Sequence, residues 1–236
     1  MDKLQELGEA YANGELPPWV RRMMNAGLLT PIIKAKAPPG VTPDIRPVAA
    51  RETDIAVFDK VVNAASVDEV NKIVRPQQLA VGESMGCEKK IWTMKLLQQQ
   101  AKQLPGGWAI MIALDMKNAF QTIDKVAAQE VMDQWAEKVP ALTPLARLHR
   151  SSVGQPVDVL MRSSTSDTGM DKICEMTEGG PQGSAITGLA LAAVLDKPLK
   201  STMQKYDGVV CTAIADDCDL VLTGSDDDGR EPSMMF

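Results

Sequence analysis

The sequence has no run of apolar residues long enough to cross a bilayer. Its longest apolar-rich stretch, Ala185 to Leu195, falls well short of the roughly 18 consecutive apolar residues a spanning helix needs. The acidic start MDKLQELGEA cannot act as a secretory signal, so nothing supports passage into the secretory pathway. Cysteine is scarce: Cys87, Cys174, Cys211 and Cys218 form no CxxC pair, which argues against a disulfide framework and for reduced thiols in a cytoplasmic or nuclear setting. The only histidine is His149, and with the cysteines scattered this argues against a zinc site. Internal repeats and low-complexity blocks are also missing. What is present is a 236-residue chain, 44% hydrophobic and 24% charged, enough for one or two soluble globular domains with a core of their own.

A surplus of basic charge is lacking as well. The net charge is −6, unevenly spread: residues 1–100 carry 13 Lys and Arg against 12 Asp and Glu, residues 101–236 carry 12 against 19. An excess of carboxylates is usually a solvated face, but it also marks places where cations collect. The position of the carboxylates in the chain decides between the two.

Pattern reading predicts two short helices in the first thirty residues, one ending near Gly14 and a second from Pro17-Pro18 through Leu28. Ile32-Ile33 and Ile45 to Val48 flank a Pro- and Gly-rich loop and read as a hairpin carrying Lys34, Lys36 and Arg46 on its arms. Helical spacing covers 54–65, 67–74 and 88–104, the last with an apolar stripe of Ile91, Met94, Leu97 and Leu104 expected in the core. Trp108 to Leu114 is an unbroken apolar run that fits a strand buried on both faces, and it stops at Asp115. Helix is expected from Asn118 to Val139 and again over 142–149, followed by a hairpin of Val157–Met161 and Ile173–Thr177. EGGPQGS then opens a helix over about 185–204. Val209 to Ala215 is a second apolar strand that ends on acid, at Asp216-Asp217, before Cys218 to Leu222 resumes a β pattern.

Two apolar strands that each terminate in aspartate are the main chemical signal, because a charge at a buried strand end is costly unless a cation or hydrogen bonds compensate it. Asp115 and Asp216 are 101 residues apart, and pairing of their strands would bring Asp115, Asp216 and Asp217 to one sheet edge. Dense carboxylate oxygens suit a hard cation such as Mg²⁺, and polymerases and nucleases hold two such ions roughly 3.5–4 Å apart. Gly179-Gly180-Pro181-Gln182-Gly183 ahead of a helix lets backbone N–H groups approach a nucleotide or template closely, although a helix start that needs flexible residues looks the same.

Order and spacing together resemble the reverse transcriptases of non-LTR retrotransposons, over nearly the whole chain from Trp19 to Leu222. The matching segments are IIKAKAPPGVTPDIRPVAARE, RPQQLAVGESMGCEKKIW, IALDMKNAFQTIDK, EGGPQGSAITGLAL and AIADDCDLVLTG, similar in turn to the fingers hairpin, a Q-x-x-G-type segment and palm motifs A, B and C. The resemblance implies an α+β fold: a polymerase palm, an antiparallel sheet backed by helices, with a fingers subdomain and no thumb. Fingers are expected over 1–105 and palm over 106–236, with 136–178 folding back toward the fingers. The resemblance further implies that Asp115, Asp216 and Asp217 are catalytic and hold two Mg²⁺ ions, or Mn²⁺, with the backbone carbonyl of Met116 as a further ligand. Phe120 would lie under the incoming sugar and exclude a ribose 2′-hydroxyl, Gln182 and Gly183 would line the nascent base pair, and Arg46, with Lys34 or Lys36, would clamp the dNTP triphosphate.

The implied partners are an RNA template, a DNA primer and dNTP, with the other domains of a retrotransposon polyprotein and no membrane. The chain departs from the pattern at Ile214-Ala215-Asp216-Asp217, where the family carries an aromatic in a Tyr-x-Asp-Asp motif. Only 19 residues follow Asp217, so the palm lysine motif, primer grip and basic thumb are expected to be missing, and a −6 chain is expected to hold duplex weakly. Two other readings stand beside this one. A catalytically inert remnant would act at most as a nucleic-acid or protein binding module. A viral RNA-dependent RNA polymerase shares the palm, but Pro-Gln-Gly in motif B and Phe120 in motif A point away from it.

Overall fold

The structure, a computed structural model, describes residues 3–33, 38, 40, 41, 45–181 and 183–225. The chain runs α1 (Lys3–Ala12), α2 (Pro18–Asn25), β1 (Gly27–Ile33), β2 (Ile45–Ala50), α3 (Thr53–Val74), α4 (Gly86–Gln103), β3 (Trp108–Asp115), α5 (Lys125–Lys138), α6 (Thr143–Ser151), β4 (Val157–Arg162), β5 (Met170–Met176), α7 (Ala185–Lys205), β6 (Val209–Ile214) and β7 (Asp217–Gly224). It forms two compact units, each discontinuous in sequence. The first comprises residues up to 66 and 118–190, the second residues 67–117 and from 191 onward. Neither follows a division at residue 105.

The first unit holds a four-stranded sheet of order β2-β1-β4-β5. The expected hairpin forms it at one edge, with Leu28 opposite Ala50 and Ile33 opposite Ile45. β1 also pairs with β4 in parallel, so this sheet is mixed rather than purely antiparallel. Helices α5 and α6 lie in contact, and Met132 and Trp135 of α5 and Leu145 and Leu148 of α6 are nearly inaccessible. The second helix of the sequence reading is shorter than expected. It stops at Asn25, whose buried side chain accepts from the Tyr11 hydroxyl and donates to the Ser151 carbonyl at 3.1 Å, and Leu28 belongs to β1. The helix expected from Asn118 is also interrupted, by a 3-10 turn at Ala119–Gln121. α5 starts only where Asp124 caps it by accepting from the N–H groups of Val126 (2.8 Å) and Ala127 (3.0 Å).

The second unit is built on a three-stranded antiparallel sheet of order β3-β7-β6. Side chains alternate across it. One face, with Val209, Cys211, Ala213, Cys218 and Leu222, packs against Leu195, Leu199 and Met203 of α7. The other carries Met111, Asp217 and Asp219 and lies beside α4. β3 is therefore an edge strand and not buried on both faces: Met111 and Leu114 are 56% and 48% exposed. The apolar stripe of α4 is only partly core, since Met94 is buried while Ile91 and Leu104 are exposed. The two helical stretches read over 54–74 are one helix, α3. Among the described residues no helix is long and apolar enough to cross a membrane, and all four cysteines are free, with Cys211 and Cys218 buried.

Candidate functional site

The acidic residues that end the apolar strands lie within the second unit. Asp115, the last residue of β3, is the register partner of Asp217, the first residue of β7. Cα atoms of directly opposed antiparallel residues lie about 4.5–5.5 Å apart. Asp216 sits in the two-residue turn from β6 into β7, next to Ala215, which takes the left-handed conformation with φ 54°. The three carboxylates are thus placed at one end of one sheet by the pairing of β3 with β7, the strand that follows the Asp-Asp turn. Asp115 and Asp217 set two like charges opposite one another across the strands, an unfavourable arrangement unless something compensates it. Among the described residues no group of three or more His, Cys, Asp or Glu is placed so that it could hold a metal ion. The side chain of Met116 packs with the core behind the sheet.

A fourth carboxylate lies one step along the same face. Asp219 is ion-paired with Lys90 of α4 at 2.9 Å, and the Lys90 ammonium also donates to the Asp217 carbonyl oxygen at 3.0 Å. Between α4 and the sheet is a cavity of about 470 Å³ lined by Lys90, Met94, Met111, Ile214, Asp217 and Asp219, among others. Burial pushes the Cys218 thiol up, and the negative charges of Asp219, Asp216 and Asp217 push the same way against Lys90. Sequence reading missed Lys90. Its only signal was the cluster Glu88-Lys89-Lys90 in the first turn of a helix.

The remaining expected residues lie in the first unit or outside the described residues. The Gly180 N–H donates to the Phe120 carbonyl at 2.9 Å and the Gly179 N–H to the Ile123 carbonyl at 2.7 Å, so Phe120 and the glycine loop are brought together. Gly179 has φ +63°, and a Cβ there would collide with the backbone of Gln121. One at Gly180 would collide with Thr187 and Val153. Lys125 anchors the start of the same loop by donating to the Met176 carbonyl (3.0 Å) and the Gln155 carbonyl (2.6 Å), and burial pulls its ammonium down to about 8. Gly183 is exposed, with φ +103°. Arg46 is in β2, opposite Ile32. Gln182, Lys34 and Lys36 lie outside the described residues.

A buried polar cluster next to this loop also escaped the sequence reading. Arg51, just past β2, donates to Asp59 of α3 at 2.6 Å, and the Ser184 hydroxyl donates to the same carboxylate oxygen at 2.6 Å. Arg51 also donates to the Tyr11 hydroxyl (2.8 Å) and to Asn25 (2.9 Å). Burial pushes the Asp59 carboxyl up, opposed by the Arg51 charge and the Ser184 hydrogen bond. Ser184 directly follows Gly183, so the cluster ties the base of the β1–β2 hairpin to the helix-opening loop.

The chain is a mixed α+β fold that contains an antiparallel sheet. Two solved structures share it. Telomerase from Candida tropicalis, truncated from its C-terminal domain, superposes with a TM-score of 0.56 at 12% identity over 85% of this chain and 44% of that one. Telomerase from Candida albicans in complex with the TWJ fragment of telomeric RNA gives 0.56 at 12% identity over 92% and 40%. This chain spans less than half the length of either telomerase chain. No family model matches the sequence, and no curated protein does.

Proposed function

We propose that the chain is the fingers–palm core of an RNA-directed DNA polymerase of the non-LTR retrotransposon type, which adds dNTPs to the 3′-hydroxyl of a primer on an RNA template. The observation that carries the proposal is the register of Asp115 opposite Asp217, beside Asp216, at the end of an antiparallel sheet. The polymerase-like fold shared with telomerase, a reverse transcriptase, supports it. Carboxylate oxygens are the donors magnesium takes, and that ion is commonly held through one or two of them together with waters and substrate phosphates rather than by an all-protein cage. Asp115, Asp216 and Asp217, with the Met116 carbonyl, would hold two Mg²⁺ or Mn²⁺ ions, which when bound supply charge neutralisation at the attacking and leaving oxygens.

The chain's own residues then position and select. The carboxylates fix where positive charge can gather at the sheet end, and catalysis of phosphoryl transfer is largely positioning plus electrostatics. The backbone hydrogen bond from the Gly180 N–H to the Phe120 carbonyl holds residue 120 next to the glycine loop, and the Phe120 side chain would test the sugar of an incoming nucleotide. Arg46, Lys34 and Lys36 would take the triphosphate, and Gln182 and Gly183 the nascent pair. RNA template, DNA primer and dNTP are the proposed partners, within a larger polyprotein.

Primer extension on an RNA template with dNTP and Mg²⁺ tests this reading. Asp115→Asn and Asp216→Asn are each expected to lower kcat at least about 100-fold, with primer–template affinity little changed. Extension by Asp216→Asn equal to that of the unmodified chain would remove this site from catalysis. A second reading, an inert remnant that binds nucleic acid or protein, is favoured by the absence, among the described residues, of any group of three or more His, Cys, Asp or Glu that could hold a metal ion. It predicts no extension by any of the proteins and unchanged binding.

A further inference from the structure

We infer that Gln78 is a positioning residue for the Asp216-Asp217 turn, holding Ala215 in its left-handed conformation so that the two carboxylates meet the sheet end in one geometry. The inference rests on the polymerase reading of that site. Gln78 lies between α3 and α4 and is 1% exposed. Its amide is used from both ends on one residue: Oε1 accepts from the Ala215 N–H at 2.9 Å, and Nε2 donates to the Ala215 carbonyl at 3.1 Å. Oε1 also accepts from the Ala80 N–H at 3.1 Å. The orientation of the amide follows, because a flipped side chain would set its NH₂ against two N–H donors and its oxygen against a carbonyl.

The backbone around Gln78 leaves the side chain little freedom. The Ala213 N–H donates to the Gln77 carbonyl at 2.6 Å and the Leu79 N–H to the Ala213 carbonyl at 2.8 Å, so the segment forms a parallel bridge to β6, an outer strand of the sheet. From that anchor the side chain reaches two residues further, to Ala215. A non-glycine residue at φ 54° is strained and persists only where its surroundings over-determine it. Gln78 supplies such a constraint. The Ala215 carbonyl belongs to the peptide plane that leads into Asp216, so fixing both polar groups of Ala215 fixes the direction in which the acidic turn leaves β6. Neither a carboxylate nor an apolar side chain can do this, since the clamp needs a donor and an acceptor on one planar group.

The experiment uses the full chain with Gln78→Met, which removes both hydrogen-bonding ends, and Gln78→Glu, which keeps the shape and the acceptor but loses the donor when ionised. Amide hydrogen exchange over residues 213–218 is read without metal or substrate. Primer extension is then read as kcat, dNTP KM and the Mg²⁺ concentration for half-maximal rate. In both variants exchange at Ala215 is expected to rise at least tenfold. The half-saturating Mg²⁺ is expected to rise at least fivefold and kcat to fall, with dNTP KM within threefold of the unmodified chain. A loss of folded protein alone would lower the rate and leave the Mg²⁺ half-saturation unmoved. Unchanged exchange in a folded variant overturns the clamp, and faster exchange with unchanged Mg²⁺ dependence overturns its positioning role. Asp216→Asn run alongside separates the two levels: if it extends primer as well as the unmodified chain, the polymerase reading fails, whatever the exchange data show.

Discussion

His149 shows how far one side chain is determined by its neighbours. Gln129 donates its amide to Asp133 at 2.8 Å and to the Ala146 carbonyl at 3.1 Å, which leaves its oxygen facing His149 Nδ1 at 2.8 Å. The imidazole must therefore carry its proton on Nδ1, while the buried Nε2 has no hydrogen-bond partner. A second proton would have no acceptor in the core. Burial, with Lys125 adding to it, pushes the imidazole down to about 4 against the pull of Asp133. Since the unfolded chain takes up this proton near pH 6.5 and the folded one only near 4, stability is full above 6.5 and falls as pH drops through that window, by at most about 3 kcal/mol. As the chain has one histidine, its ring resonance in an NMR titration reads the midpoint directly, and a midpoint near 6.5 would contradict this packing. Asp59 is the charged counterpart. Asp59→Asn leaves Arg51 without its ion partner in a dry site and is expected to cost about 3–5 kcal/mol in urea denaturation. Neither residue was legible as special beforehand: His149 reads as any apolar-face histidine, and Asp59 finds Ser184 across 125 residues of chain.

At the level of elements, local chemistry was readable and burial was not. The stops at Asp115 and at Asp216-Asp217, the Pro17-Pro18 helix start and the glycine loop all announce themselves within a few residues. The run from Trp108 to Leu114 does not reveal whether its second face is covered, because an edge strand with exposed Met111 and Leu114 has the same apolar composition as a central one. The helix at Asn118 failed for a related reason, since its apolar spacing continues through a 3-10 turn at Ala119–Gln121, where the Phe120 carbonyl and, just beyond, the Ile123 carbonyl accept from the glycine loop. That contact gives a test of the loop. Gly179→Ala meets both an unfavourable φ and the backbone of Gln121, and is expected to cost at least about 3 kcal/mol. Gly183→Ala, with nothing near its Cβ, carries the backbone cost alone, about 1–2 kcal/mol. Urea denaturation of the two variants compares them directly, and equal costs would mean that the loop does not pack on residues 120–123.

At the level of the whole molecule, the order of elements along the chain differs from their grouping in space. Each compact unit is made from two stretches, and the three divisions fall inside α3, between Ser66 and Val67, just past β3, between Lys117 and Asn118, and inside α7, between Ala190 and Leu191. A boundary at residue 105, natural from the turn signal Pro105-Gly106-Gly107, separates partners in both units. Residues 1–105 would keep β1 and β2 but lose β4, which pairs with β1, and would keep α4 without the sheet it covers. Residues 106–236 would keep β3, β7 and β6 but lose α4, the Gln77–Leu79 bridge to β6 and the hairpin that completes the first sheet. Each fragment then exposes apolar surface that its own residues cannot cover, and burial is the main favourable contribution to folding. Expressed separately, the two fragments are expected to give collapsed amide dispersion in NMR spectra and no cooperative thermal transition. Mixed from denaturant at equal concentration, they are expected to recover both, because every strand partner is again present. A fragment 1–105 that folds cooperatively on its own would show that the chain is divided as its sequence suggests and not as its contacts group it.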